Sequence, residues 1–113
     1  REFLFVDDLA SASIYIMNLD KEKLQSEINP MCSHINVGTG EDLTIKELAS
    51  LIKEVIGYQG ELIFDTTKPD GTPRKLLDIK KLIRLGWRYK TKLSEGLKIT
   101  YEDYKLNRKK SKV

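Results

Sequence analysis

Apolar and polar positions alternate between two periods along this chain, and the changes of period mark its elements. Phe3-Leu4-Phe5-Val6 is a run of four aromatic and branched residues, which predicts a short extended segment. Asp7 or Asp8 then predicts a helix start, a carboxylate accepting from the open N–H groups of a first turn. Ala10, Ile14 and Met17 follow at helical spacing, Ala12 is small enough for close packing, and the helix is expected to end near Leu19-Asp20. Residues 21–33 are mixed and polar, reading as a short helical turn and then a loop through Pro30. Ile35-Asn36-Val37, bounded by Gly38-Thr39-Gly40, predicts a brief strand that empties into a loop.

The strongest helix signal comes next. Thr44-Ile-Lys-Glu47 has the spacing of a capping box, and Leu43 with Leu48 forms the flanking staple. Ile45, Leu48, Ala49, Ile52, Val55 and Ile56 recur on one face, and Gly57 supplies the stop. Leu62-Ile63-Phe64 predicts another short strand. Residues 66–75 are dense in turn formers and charge. Asp78 is expected to cap a small helix with Ile79, Leu82 and Ile83 inward and Gly86 as terminator; Trp87 follows in an irregular stretch. A last helix carries Leu93, Leu97, Tyr101 and Tyr104 on one face before a basic tail. Strands this short and few do not make an independent sheet. They are expected to complete a sheet elsewhere or to pack on the helices.

Composition narrows the class. A chain of 113 residues with 40% hydrophobic and 33% charged residues is a globular domain or part of one. No apolar run approaches the roughly 20 residues of a membrane span, so no membrane partner is expected. The chain opens within an apolar run, without an initiator Met or a signal-like stretch, and so reads as a piece of something longer. The net charge of +3 is concentrated at the end: removing Arg108, Lys109, Lys110 and Lys112 leaves the body at −1. Residues 1–106 therefore form the expected domain and 107–113 a frayed, solvated tail, with no nucleic-acid partner implied. The one cysteine, Cys32, offers no disulfide framework and fits a reducing, cytoplasmic setting.

Chemistry-bearing residues are sparse. Cys32 and the single His34 suggest neither a nucleophile–base pair nor a metal site. Gly38-Thr39-Gly40 follows a strand-like run, but the third glycine of a dinucleotide loop is replaced by Leu43, and a tight turn is the better reading. In Lys68-Pro-Asp-Gly-Thr-Pro-Arg-Lys75, prolines stiffen a loop that offers one carboxylate amid three cations. That mixture suits an anionic ligand bearing hydroxyls; an ordinary solvated Pro-Asp-Gly turn accounts for it equally well. Arg1, beside an apolar run, has the guanidinium fork that holds a diphosphate.

Arg1-Glu-Phe-Leu-Phe-Val-Asp-Asp-Leu-Ala10, His34-Ile-Asn-Val-Gly-Thr-Gly-Glu-Asp-Leu-Thr-Ile-Lys-Glu-Leu-Ala49, Phe64 through Asp78 and Leu85-Gly-Trp87 together resemble the GDP-L-fucose synthase family. These extended short-chain dehydrogenases/reductases are GDP-4-keto-6-deoxy-mannose epimerase-reductases. The first two blocks are common to nucleotide-sugar epimerases and dehydratases; the Lys-Pro-Asp-Gly-Thr-Pro-Arg-Lys loop is narrower. The resemblance implies an α/β fold class. This chain would be the C-terminal substrate-binding segment of a Rossmann-type enzyme, mostly helical with short strands. It implies epimerisation beside a ketone followed by reduction with NADPH. The Gly-rich cofactor loop and the catalytic Ser, Tyr, Lys, Cys and His are expected in a preceding Rossmann half, and Cys32 and His34 do not match them. This segment alone is expected to be inactive and to bind no cofactor. Carried over by position, Arg1 holds the GDP portion, Asp70 accepts from ribose or sugar hydroxyls, and Lys75 and Arg74 are nearby cations. Asp7 and Asp8 match a family motif that helix capping explains. The parent is expected to be a cytoplasmic homodimer. Two other readings stay open: a segment of another nucleotide-sugar epimerase or dehydratase, and a non-catalytic interaction module.

Overall fold

A computed structural model describes residues 1–110 and divides the chain into two compact units. The first comprises Arg1–Asp42 and Arg74–Thr91; the second comprises Leu43–Pro73 and the segment from Lys92 onward. In chain order the helices are α1 (Val6–Met17), α2 (Lys21–Gln25), α3 (Ile45–Ile56), α4 (Lys80–Leu85) and α5 (Leu93–Lys110).

In the first unit, α1 and α4 contribute to a small core of Ala12, Leu82 and Trp87, with Leu4, Tyr15, Ile16, Ile35, Val37 and Tyr89 packed against it. Leu82 and Leu85 are fully buried, each contributing about 1.5–3 kcal/mol relative to an exposed position. Trp87, left irregular by the sequence reading, is a core residue at 5% exposure, its Nε1 donating to Ser11 Oγ at 3.3 Å. Tyr15 Oη donates to the Leu85 carbonyl at 2.9 Å, so α1 satisfies an open carbonyl at the end of α4. Gly86 follows in the left-handed region at φ 102°, as its role of terminator requires.

The inward face of α1 differs from the expected one. Asp8 and Ala12 are buried, with Tyr15, Ile16 and Leu19 half-buried, whereas Ile14 and Met17 are exposed, Met17 at 83%. The helix is apolar on two sides, and spacing does not choose between them; the small Ala12 is what lets Leu82 and Trp87 approach. Nor do the aspartates cap α1. Its N-cap is Phe5, extended at φ −67° and ψ 140°, with no side-chain cap. The buried Asp8 carboxylate instead accepts from the backbone N–H of Thr91 at 2.9 Å and of Lys90 at 3.3 Å. Asp78 acts at α4 as expected in part: Ile79 is the N-cap, while Asp78 Oδ1 accepts from Lys80 N at 3.0 Å.

In the second unit α3 packs on α5. The capping box is complete, with Glu47 N donating to Thr44 Oγ1 at 3.1 Å and Thr44 N to Glu47 Oε2 at 2.7 Å. Thr44 N and Thr44 Oγ1, both donating to Glu47 Oε2, hold the Glu47 carboxyl below the usual carboxylate range. Gly57 ends the helix at φ 70°. Leu48, Ala49, Ile52 and Val55 are half-buried, but Ile45 and Ile56 are exposed, so the buried stripe is narrower than the apolar pattern. On α5 the same narrowing leaves Leu93, Leu97 and Tyr101 half-buried and Tyr104 exposed. The helix continues through Asn107–Lys110, where fraying was expected; the rest of that tail, 111–113, lies outside the described residues.

The three segments expected as strands form no ladder among the described residues, where the only pairing is an antiparallel bridge between Asn29 and Cys32. A strand is defined by its partner, and none of these segments pairs with another. Ile63, at the centre of Leu62-Ile63-Phe64, is 87% exposed.

Candidate functional site

The turn Gly38–Asp42 is the most heavily connected polar feature of the first unit. Its N–H groups point inward, and the Glu2 carboxylate fills the concavity they make: Oε1 accepts from Thr39 N at 2.6 Å and Gly40 N at 2.8 Å. Oε2 accepts from Leu77 N at 2.9 Å, so one side chain joins two segments far apart in sequence. Successive backbone N–H groups of this kind are an anion nest, and here the anion is the chain's own. In this structure the N–H groups of the Gly38-Thr39-Gly40 turn are thus answered by a side chain. Gly38 is buried against Glu2, and a Cβ there would collide with the Glu2 carboxylate.

Two more contacts leave the same turn. Asp42 receives Arg74 as a fork, Nε to Oδ2 at 2.7 Å and Nη2 to Oδ1 at 3.1 Å. This bidentate geometry lowers the Asp42 carboxyl below its usual range and raises the Arg74 guanidinium. Glu41 accepts from Tyr89 Oη at 3.0 Å, which, with burial added, pushes the phenol above its ordinary value near 10. Beneath these contacts lies a cavity of about 270 Å³ lined by Gly38, Thr39, Glu41, Ile79, Trp87 and Tyr89, among others.

The residues singled out from sequence fall as follows. Arg1, half-buried, directly precedes Glu2. Arg74 belongs to the first unit and is committed to Asp42, so its placement is that of an anchor for the end of the loop. Lys75 is exposed, between the anchored Arg74 and the anchored Leu77. Asp70 is exposed in the second unit, on a loop whose entry is shaped by Asp65, whose Oδ1 accepts from Thr67 N at 3.0 Å and Thr67 Oγ1 at 2.6 Å. The loop is tied at its entry by Asp65 and at its exit by the Arg74–Asp42 fork. Glu2, Asp42 and the Glu41–Tyr89 pair were missed by sequence reasoning. A carboxylate that binds backbone N–H groups 37 and 75 residues away leaves no local signature.

Cys32 and His34 line a second cavity of about 230 Å³ with Asn36, Asp78, Lys81 and Arg84. Lys81 Nζ lies 3.1 Å from Cys32 Sγ, and Arg84 forks onto Glu27, holding that carboxyl below its usual range. No group of three or more His, Cys, Asp or Glu side chains able to hold a metal exists among the described residues, and no described helix is long and apolar enough to cross a membrane.

No family model matches the chain. It is 56% identical over 102 residues to a GDP-L-fucose synthase of Escherichia coli strain K12, covering 90% of this chain and 32% of that protein. It is 38% identical to a GDP-L-colitose synthase of Yersinia pseudotuberculosis, covering 96% of this chain and 32% of that protein. Among solved structures, it superposes with a TM-score of 0.83 on a GDP-6-OMe-4-keto-L-xylo-heptose reductase from Campylobacter jejuni, at 43% identity over 95% of this chain and 31% of the other. The corresponding values for a GDP-mannoheptose C4 reductase from the same organism, with NADP bound, are 0.77, 44%, 93% and 31%. The chain thus spans about a third of the length of the relatives it matches. Mostly helical, and similar in sequence and fold to NADP-binding short-chain-dehydrogenase-type reductases, the chain is homologous to the GDP-L-fucose synthases over about a third of their length.

Proposed function

We propose that this chain is the GDP-sugar-binding part of a GDP-L-fucose synthase. The whole protein would epimerise GDP-4-keto-6-deoxy-mannose and reduce it with NADPH to GDP-L-fucose. The observation that carries this reading is the 56% identity over 102 residues to the Escherichia coli enzyme. The loop Lys68–Lys75 and Arg1 supply the chemistry: a guanidinium and a lysine for the diphosphate, a carboxylate for hydroxyls. In this reading Arg1 and Lys75 face the diphosphate, Asp70 accepts from ribose or sugar hydroxyls, and Arg74 sets the loop end through Asp42.

Cofactor binding and proton transfer belong to a preceding Rossmann half, so this segment alone is inactive. When bound there, NADPH supplies the hydride; the residues of this chain bind and orient the sugar nucleotide. The whole protein is cytoplasmic and a homodimer in this proposal. The solved relatives named as heptose reductases, at 43–44% identity, favour one second reading: a GDP-sugar reductase acting on a different 4-keto sugar.

Calorimetric titration of the chain with GDP, with UDP and NADPH as controls, tests the binding role. GDP binding abolished by Arg1→Ala or Asp70→Ala supports it. Equal binding of UDP, or GDP binding untouched by both substitutions, refutes it. Turnover of GDP-4-keto-6-deoxy-mannose by the whole protein separates the two substrate readings.

A further inference from the structure

We propose that Glu2 and the Asp42–Arg74 fork are positioning residues that hold Arg1 and Lys75 on one rigid frame for the diphosphate of the sugar nucleotide. The inference rests on the function proposed above and concerns the first unit alone. Glu2 is the immediate neighbour of Arg1, and its carboxylate is fixed at both oxygens, by Thr39 N and Gly40 N on one side and Leu77 N on the other. Lys75 lies between two anchored positions: Arg74 is forked onto Asp42, and the Leu77 N–H is held by Glu2. Both cations are therefore one or two residues from a residue tied, directly or through Glu2, to the same turn, Gly38–Asp42. A cation on a pinned backbone loses less conformational freedom when it meets a phosphate, and that saving appears as affinity. The same carboxylate keeps the nest of the turn closed to other anions, so an incoming diphosphate meets the cations and not the turn.

The chemistry makes the positioning specific to the side chains involved. Glutamine at position 2 keeps one acceptor but turns an NH₂ toward N–H donors, so Glu2→Gln breaks one arm of the clamp and leaves the volume unchanged. Lysine at position 74 keeps the charge and loses the fork.

The test is GDP affinity by calorimetry, on the whole 113-residue chain, at a temperature where every variant is folded. Glu2→Gln is expected to weaken GDP about tenfold, the scale of one charge-assisted hydrogen bond, and Asp42→Asn and Arg74→Lys by roughly three- to tenfold. Thr44→Ala, which loses a helix cap in the second unit, serves as the purely structural control and leaves GDP affinity unchanged. Because Glu2 acts through Arg1, the double variant Arg1→Ala/Glu2→Gln loses less than the two single losses combined. Unchanged affinity in Glu2→Gln, or additive losses in the double variant, overturns the inference. If the parent chain binds no GDP, the binding role of the isolated chain fails, and a ligand-free readout still decides the positioning. In that readout the ¹⁵N order parameters at Glu2 and Lys75–Leu77 fall from rigid values near about 0.85 toward about 0.6 in Glu2→Gln. Unchanged order parameters overturn it equally.

Discussion

Asp8 is a carboxylate at 5% exposure whose two oxygens hold the backbone at Lys90 and Thr91. Its replacement by alanine leaves both N–H groups without their acceptor. The Thr91 bond, at 2.9 Å, has the length of a full charge-assisted interaction, about 1.5–3 kcal/mol; the Lys90 bond at 3.3 Å is longer and worth about 0.5–1 kcal/mol. Asp8→Ala should therefore cost about 2–4 kcal/mol, and Asp8→Asn, which retains one acceptor, about half of that. Trp87 is the only tryptophan and lies in the core of the same unit, so its fluorescence during urea unfolding reports on the unit concerned. With a urea slope of about 1.5 kcal/mol/M, the Asp8→Ala midpoint should fall by roughly 1–3 M. Asp7→Ala, at the exposed neighbouring position, should stay within about 0.5 kcal/mol of the parent. A midpoint for Asp8→Ala indistinguishable from that of Asp7→Ala would refute the assignment of Asp8 as a clamp.

Four further outcomes follow from the geometry. Gly57→Ala, at φ 70° with open space around its Cβ, should cost only the left-handed penalty of about 1–2 kcal/mol, while Gly86→Ala should cost more. At Gly86 the new methyl would sit 2.8 Å from Tyr15 Oη and disturb its bond to Leu85; thermal melts of the two variants check the order. Thr44→Ala should lose about 1 kcal/mol through the broken capping box, visible as earlier melting of the helical circular dichroism signal. Glu27, Asp42, Glu47 and Asp65 all have lowered folded-state pKa values. Their contribution is present above the unfolded carboxylate range of about 3.9–4.3 and is lost as pH falls through the lower folded values. Stability should thus decline below about pH 4. Tyr89, raised by Glu41, has the opposite sense: its contribution is full below about 10 and is lost as pH rises further. Tyrosinate absorbance of the parent against Tyr89→Phe follows that titration.

Local signals were legible where a few neighbouring residues settle the outcome. The Thr44–Glu47 capping box, the glycine stops at 57 and 86 and the turn at α2 all depend on contacts within about four residues, and each is found in place. The resemblance blocks fared likewise, being local strings. What stayed hidden depends on partners far along the chain. The inward face of α1 is decided by Leu82 and Trp87, not by its own apolar spacing, which offers two faces. Asp7 and Asp8 look alike as helix-capping carboxylates, yet Asp8 is buried because Lys90 and Thr91 bring their N–H groups to it. Arg74 reads as a cation near the loop's carboxylate, and its fork onto Asp42, 32 residues away, has no sign in the string. The strand-like runs show the same limit from the other side: β-propensity is written in the residues, but a ladder needs a second strand, and none is paired with them. Periodicity and capping are short-range chemistry and survive in the string; which face turns inward, and which charge is already answered, is settled only when distant segments meet.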